Sequence, residues 1–145
     1  MKLCAYLSYY HPELRIERAL GQRHKPDLVR VGVDGVVHQW IDCGVTSLPK
    51  LCRITRQNPK TLIHIVKPSY RALCLYQELA AKRLRYPERV RYQSYQSGFL
   101  PALAEQMSAH LDWEVTVLED DERPVHLYVQ VGGTSLDTPL LWAGK

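Results

Sequence analysis

Short apolar runs and amphipathic stretches alternate along this chain in an order that sketches a sheet before any other property is considered. Leu28-Val29-Arg30-Val31 and Val36-Val37-His38-Gln39-Trp40-Ile41 flank Asp34-Gly35, and two β-branched runs around Asp-Gly are a strong signal for a two-residue type I′ hairpin. Thr46 or Ser47 can cap a helix from about Leu48 to Gln57, with Pro49 tolerated in its first turn. Thr61-Leu62-Ile63-His64-Ile65-Val66 is short and apolar, the pattern of a strand buried on both faces. Pro68-Ser69 opens a helix to about Leu84, with Ala72, Leu75, Tyr76 and Leu79 on one stripe. Val90–Tyr95 reads as a strand and Phe99–Leu111 as a helix. Glu114–Leu118, His126–Val131 and a segment near Pro139–Trp142 read as closing strands. Before the hairpin, residues 2–10 read as helical, and Glu13–Leu20 as a second helical stretch after a turn at His11-Pro12. The alternation predicts βαβ crossovers and a mixed sheet with helices on both faces. No repeat or interdomain linker interrupts residues 1–145, so one domain is expected.

The hairpin carries the first chemical signal. If Val33 pairs with Val36 across the turn, Asp27 lies directly opposite Asp42. Cross-strand neighbours are roughly 4.5–5.5 Å apart, and like charges there are destabilising. A divalent cation or a shared proton would offset the repulsion. Two carboxylates on adjacent strands suit Mg²⁺ or Mn²⁺, which take oxygen ligands and keep several waters. Such an ion can activate a water and stabilise charge on a phosphate under attack. The same alternation places Val29, Val31, His38 and Trp40 on the aspartates' face.

Charge changes the picture further. The net of +4 divides unevenly, because residues 1–110 hold 17 Lys/Arg against 8 Asp/Glu and residues 111–145 hold 2 against 7. Basicity is densest at Lys82, Arg83, Arg85, Arg89 and Arg91, interleaved with Tyr86 and Tyr92; this is either a solvated helix end beside a loop or a phosphate-binding patch, with Lys82, Arg83, Arg85 and Arg89 as the candidate nucleic-acid-binding residues. The four cysteines show no C-x-x-C spacing, which points to a reducing compartment, by default the cytoplasm, and away from a zinc site. No apolar run approaches a membrane span, so no membrane partner is expected. The six histidines lack an i, i+4 pair, and no G-x-S-x-G elbow or phosphate loop is present.

Pro26-Asp27, a hairpin, then the apolar-flanked Asp42 is the pattern by which PD-(D/E)XK nucleases bind metal. Pro26-Asp27-Leu28, Gly35, Trp40-Ile41-Asp42-Cys43-Gly44 and the following helix with Lys50-Leu51-Cys52-Arg53 resemble the YaeQ family more closely. The resemblance covers nearly the whole chain, although only the Trp-Ile-Asp-x-Gly block with its upstream Pro-Asp is specific. It implies a three-layer α/β/α fold with a central mixed sheet, a restriction-endonuclease-like core, and Asp27 and Asp42 as metal carboxylates. A D-x-K motif would place lysine at position 44, where this chain has Gly44. The resemblance shifts that role to Lys50 or Arg53, three apart on one helix face. The resemblance also leads one to expect a chain shortened at the N-terminus relative to the family, in which an auxiliary glutamate would come from Glu13 or Glu17.

Three functions follow as expectations. The first is a metal-dependent nuclease using Asp27, Asp42, Lys50 and Arg53. The second is an inactive module on the same fold that binds nucleic acid or a protein. The third is an interaction protein whose acidic C-terminal hairpin docks on a basic surface.

Overall fold

The computed structural model describes residues 1–108, 112–121 and 123–144. Eight strands form one curled mixed sheet in the order β1-β2-β3-β4-β5-β8-β7-β6. Its first half comprises β1 (Leu14–Ile16), β2 (Leu28–Val31), β3 (Val37–Cys43), β4 (Leu62–Lys67) and β5 (Val90–Tyr95). Its second half comprises β6 (Trp113–Asp120), β7 (Arg123–Val131) and β8 (Thr134–Ala143). Four helices complete the fold: α1 (Lys2–Ser8), α2 (Leu48–Gln57), α3 (Tyr70–Ala81) and α4 (Phe99–Glu105).

Only β3, β4 and β5 are parallel, joined through α2 and α3. Both crossovers step the same way along the sheet, so right-handed connections put both helices on one face. Trp40, Ile63, Ile65, Val90 and Tyr92 pack there against Leu51, Ile54, Leu73 and Ala80. The other face is covered by α1, α4 and the sheet's own β7–β8 end, through Ala5, Tyr9, Phe99, Leu103, Leu127 and Leu140 against Leu28, Ile41, Val66 and Tyr95. The expected helical cover on both faces is therefore shared between helices and strands on one of them. Ser47 and Ser69 cap α2 and α3, accepting the amides of Lys50 and Ala72 at 3.3 Å each.

Three sequence readings give way here. Glu13–Leu20 is not helical: Leu14–Ile16 pairs antiparallel with Leu28–Arg30, and Glu17 at φ 50° ends the strand. Edge pairing on a buried sheet outweighs the weak local preference for helix. On α3 the buried positions are Leu73 and Ala80, whereas Leu75 and Leu79 are more than half exposed; the apolar stripe is broad enough to be misaligned by one residue. Helix α4 ends at Glu105, short of the predicted Leu111, and residues 109–111 lie outside the described ones.

The hairpin turn is also longer than predicted. Gly32 donates its amide to the Val36 carbonyl at 2.9 Å, and Gly35 to the Gly32 carbonyl at 3.0 Å. This makes a three-residue loop, Val33–Gly35, with Gly35 at φ 76°. That change would slip the register by one, but a bulge compensates: Val31 pairs with Val37, Arg30 with Gln39, Val29 with Trp40 and Leu28 with Ile41. His38 is the extra residue. It leaves the aspartates' face, where simple alternation put it, and lines a cleft on the opposite face beside Arg30 and Gln39.

His64 lies under that opposite face, 2% exposed, with its ring 4.5 Å from that of Tyr9. Burial first, and then the charge of Arg91, pushes its imidazole down from 6.5 to about 3. Between those values the unfolded chain binds a proton that the folded chain does not, so stability falls as pH drops below 6.5. At pH 5 the loss attributable to His64 is about 2 kcal/mol. Urea midpoints at pH 7 and pH 5 should differ accordingly in the wild type, and His64→Gln should remove most of that difference.

Candidate functional site

The carboxyl ends of β3 and β4 meet the entry to β2, and the charged residues of the hairpin collect there. Asp42 is fully buried. Its Oδ1 accepts the Trp40 indole N–H at 2.9 Å and its Oδ2 the Thr46 hydroxyl at 3.5 Å. Lys50, on the first turn of α2, places its ammonium 2.6 Å from Oδ2. The local sequence explains this contact. Trp40 and Asp42 are two apart on one strand face, and the Ser47 cap starts α2 so that Lys50 lies over the strand end.

Asp27 sits one residue before β2 and is partly exposed. The regular ladder stops at Leu28 and Ile41. The Asp27 amide donates to the Ile41 carbonyl at 3.1 Å, and its carboxylate accepts the Cys43 amide at 2.7 Å. The two aspartates are thus neighbours at the hairpin mouth but are not a regular cross-strand pair. Their repulsion is offset by two separate lysines, since Lys2 of α1 lies 2.9 Å from Asp27 while Lys50 holds Asp42. Lys2 also pairs with Glu17, which Lys25 contacts at 3.2 Å. Hydrogen bonds to Glu17 and then Asp27 raise the Lys2 ammonium well above its ordinary value. Glu17 therefore belongs to this ionic cluster, although no helix carries it; Glu13 lies by His11 instead.

Lys67 is a site residue that the sequence reading missed. It ends β4, one step beyond the Cys43–Val66 pair, and is 7% exposed. Its ammonium donates to the Gly44 carbonyl at 2.6 Å and lies 4.0 Å from the centre of the Tyr76 ring. Burial lowers its pKa, partly offset by Asp42. A lysine from the neighbouring strand thus stands over the backbone of the position where a D-x-K motif would carry its own. The available signal was a lone lysine closing an otherwise apolar strand.

Basic groups gather on the His24 side of Asp42, which itself opposes their effect on that imidazole. His24 is pulled down first by burial and then by the charges of Arg53, Lys50 and Arg23, which places those groups together at this end of the sheet. The other predicted basic residues lie elsewhere. Arg89 donates to the carbonyls of Asn58 at 2.9 Å and Thr55 at 2.8 Å, closing the C-terminal end of α2. It precedes β5, beside the start of β4, about 17 Å of strand away from Lys67. Lys82, Arg83 and Arg85 are exposed near that same far end, with Arg85 5.3 Å from the centre of the Tyr86 ring.

The donor set defines what the site could hold. Among the described residues no group of three or more His, Cys, Asp or Glu forms a metal cage. Two carboxylates remain, whose hard oxygens suit a partly hydrated Mg²⁺ or Mn²⁺ that completes its shell with water or phosphate. Asp42 is sealed beneath Lys50, so that ammonium must move aside before a cation can share the carboxylate.

Taken together, this is an α/β domain with a buried carboxylate–lysine cluster at the carboxyl ends of its parallel strands, where ligand sites of open α/β sheets form. The chain belongs to the YaeQ family, whose model, described as YaeQ protein, matches residues 1–139. The crystal structure of YaeQ protein from Xanthomonas axonopodis pv. citri superposes with a TM-score of 0.75 at 17% identity, covering 97% of this chain and 76% of the other. YaeQ protein from Pseudomonas syringae gives a TM-score of 0.75 at 22% identity, covering 99% and 76%. No curated protein matches. Among the described residues no helix is long and apolar enough to cross a membrane.

Proposed function

We propose that this protein is a divalent-metal-dependent phosphodiesterase of the PD-(D/E)XK type, acting on DNA or RNA, with the restriction-endonuclease-like three-layer core that this class uses. The observation that carries this reading is the fully buried Asp42, held by Lys50 at 2.6 Å beside Asp27 and Lys67 at one end of the sheet. Burying a carboxylate is costly unless it is paired, and one surrounded by cations at strand ends is suited to chemistry on phosphate. Asp27 and Asp42 would hold Mg²⁺ or Mn²⁺, which when bound supplies an activated water and neutralises charge on the phosphoryl oxygens. Lys50, once released from Asp42, would orient a phosphate. Lys67 holds the Gly44 backbone against its strand and is the buried cation that stands closest to the vacant lysine position. Arg53 contributes charge but is a poor base, since a guanidinium stays protonated.

The test is cleavage of single- and double-stranded DNA and RNA with Mg²⁺ or Mn²⁺ and with EDTA, alongside Mn²⁺ calorimetry. Metal-dependent cleavage and one bound ion are expected. Inactivity on every substrate with no measurable metal uptake sinks the proposal.

The second reading, binding without catalysis, draws on Gly44 and on the existing Lys50–Asp42 pair, which satisfies the carboxylate without metal. It predicts nucleic-acid binding that EDTA does not affect. In either case Arg83→Ala with Arg85→Ala should reduce the slope of log affinity against log salt by about 1.5 to 2. An unchanged slope would remove this patch from the binding surface.

A further inference from the structure

The face opposite Asp42 holds a cleft of about 490 Å³, within the range of small-ligand sites. Its floor carries polar residues from four strands, with a two-residue step between β3 and β4, where Gln39 pairs with Leu62 and Ile41 with His64. Arg30 of β2 pairs in register with Gln39 of β3, and His64 of β4 pairs with Arg91 of β5. Gln39 and His64 touch through their Nε2 atoms at 3.2 Å. Because Gln39 presents its amide nitrogen there, His64 Nε2 is the acceptor and Nδ1 carries the proton. That Nδ1 is buried and has no hydrogen-bond partner among the described residues. An unmet buried donor is costly and uncommon.

Both arginines are half-buried and line the same cleft. Three strand spacings and a two-residue step along the strands put their backbones about 16 Å apart, a gap that two long side chains can close on one ligand. Glu119 approaches from the β6–β7 end and is the only carboxylate among the described lining residues, set against the two arginines. Tyr10 and His38 offer aromatic rings at the rim.

We infer that this cleft is a second ligand site, distinct from the carboxylate cluster, that binds a phosphomonoester of the size of a nucleoside monophosphate. Arg30 and Arg91 would grip the phosphoryl oxygens, as guanidinium forks do, and the Nδ1 proton of His64 would meet an acceptor from the ligand. The rim rings would stack on the base, a contact that tolerates any base. The inference does not depend on the nuclease proposal, because its residues lie on the other face of the sheet.

The experiment is titration of the ¹⁵N-histidine-labelled wild type, in EDTA and at constant ionic strength, with a nucleoside 5′-monophosphate, inorganic phosphate or acetate. The His64 ring resonances should shift to saturation with the nucleotide, shift more weakly with phosphate and not move with acetate. Arg30→Gln and Arg91→Gln should each weaken nucleotide binding about tenfold, the loss of one charged hydrogen-bond pair. Unmoved His64 resonances in the wild type would overturn the site, with no variant needed. An equal response to acetate would overturn the phosphoryl class, and an undiminished affinity in both variants would overturn the arginine assignment.

Discussion

Asp42→Asn is expected to reduce metal-dependent cleavage by about 10³-fold while leaving the domain folded. The amide oxygen can still accept the Trp40 indole N–H that Asp42 accepts at 2.9 Å, so the strand end keeps its geometry. What disappears is the negative charge, and with it half of the proposed metal-binding pair. Lys50 loses its partner but is 23% exposed and can turn to water, so the stability cost should be about 1 kcal/mol. Calorimetry with Mn²⁺ should show binding weakened in parallel with activity. Full activity in the variant would exclude Asp42 from the chemistry and move the reaction elsewhere.

The converse substitution should behave in the opposite way. Lys50→Met leaves a fully buried carboxylate with only the Trp40 and Thr46 donors. Removing one partner of a buried ion pair costs about 3 kcal/mol or more, because the remaining charge has no solvent to retreat to. The urea midpoint should fall accordingly, with little change in its slope. The double variant Lys50→Met with Asp42→Asn should recover most of the loss, since the stranded charge is gone; the cycle measures the coupling directly. Millimolar Mn²⁺ should also stabilise Lys50→Met more than the wild type, because the cation no longer competes with an ammonium for Asp42. A Lys50→Met protein as stable as the wild type would show that the Lys50–Asp42 pair contributes no net stability.

These two substitutions differ for a geometric reason. One partner can reach water and the other cannot. The same asymmetry explains why Lys2 is a milder counter-ion. Asp27, Glu17 and Lys2 are all at least a quarter exposed, where ion pairs contribute little.

Much of the frame was legible from patterning. The apolar run at 61–66 reads as a strand buried on both faces, and β4 (Leu62–Lys67) is the middle strand of the parallel trio. Ser47 and Pro49 set the start of α2 at Leu48, as observed, because a cap and an N-terminal proline act locally. The Pro-Asp and Trp-Ile-Asp-x-Gly blocks led to the family, and they mark the two aspartates that do lie together. Local signals also failed where a neighbouring strand decided the outcome, as at Leu14–Ile16, which pairs with β2.

The chain by itself determined which residues are buried strands, where α2 and α3 begin, and that Asp27 and Asp42 share the mouth of one hairpin. Only the tertiary structure decided that Lys2 meets Asp27 and that Lys67 reaches the backbone near Asp42. Lys2 and Lys67 stand 25 residues away from their partners at Asp27 and 23 away at Gly44, and no local rule connects such positions. It also decided the register, where a longer turn and a bulge at His38 cancel each other. Turn length and bulge are set by packing on both faces at once, and periodicity reports only one face at a time.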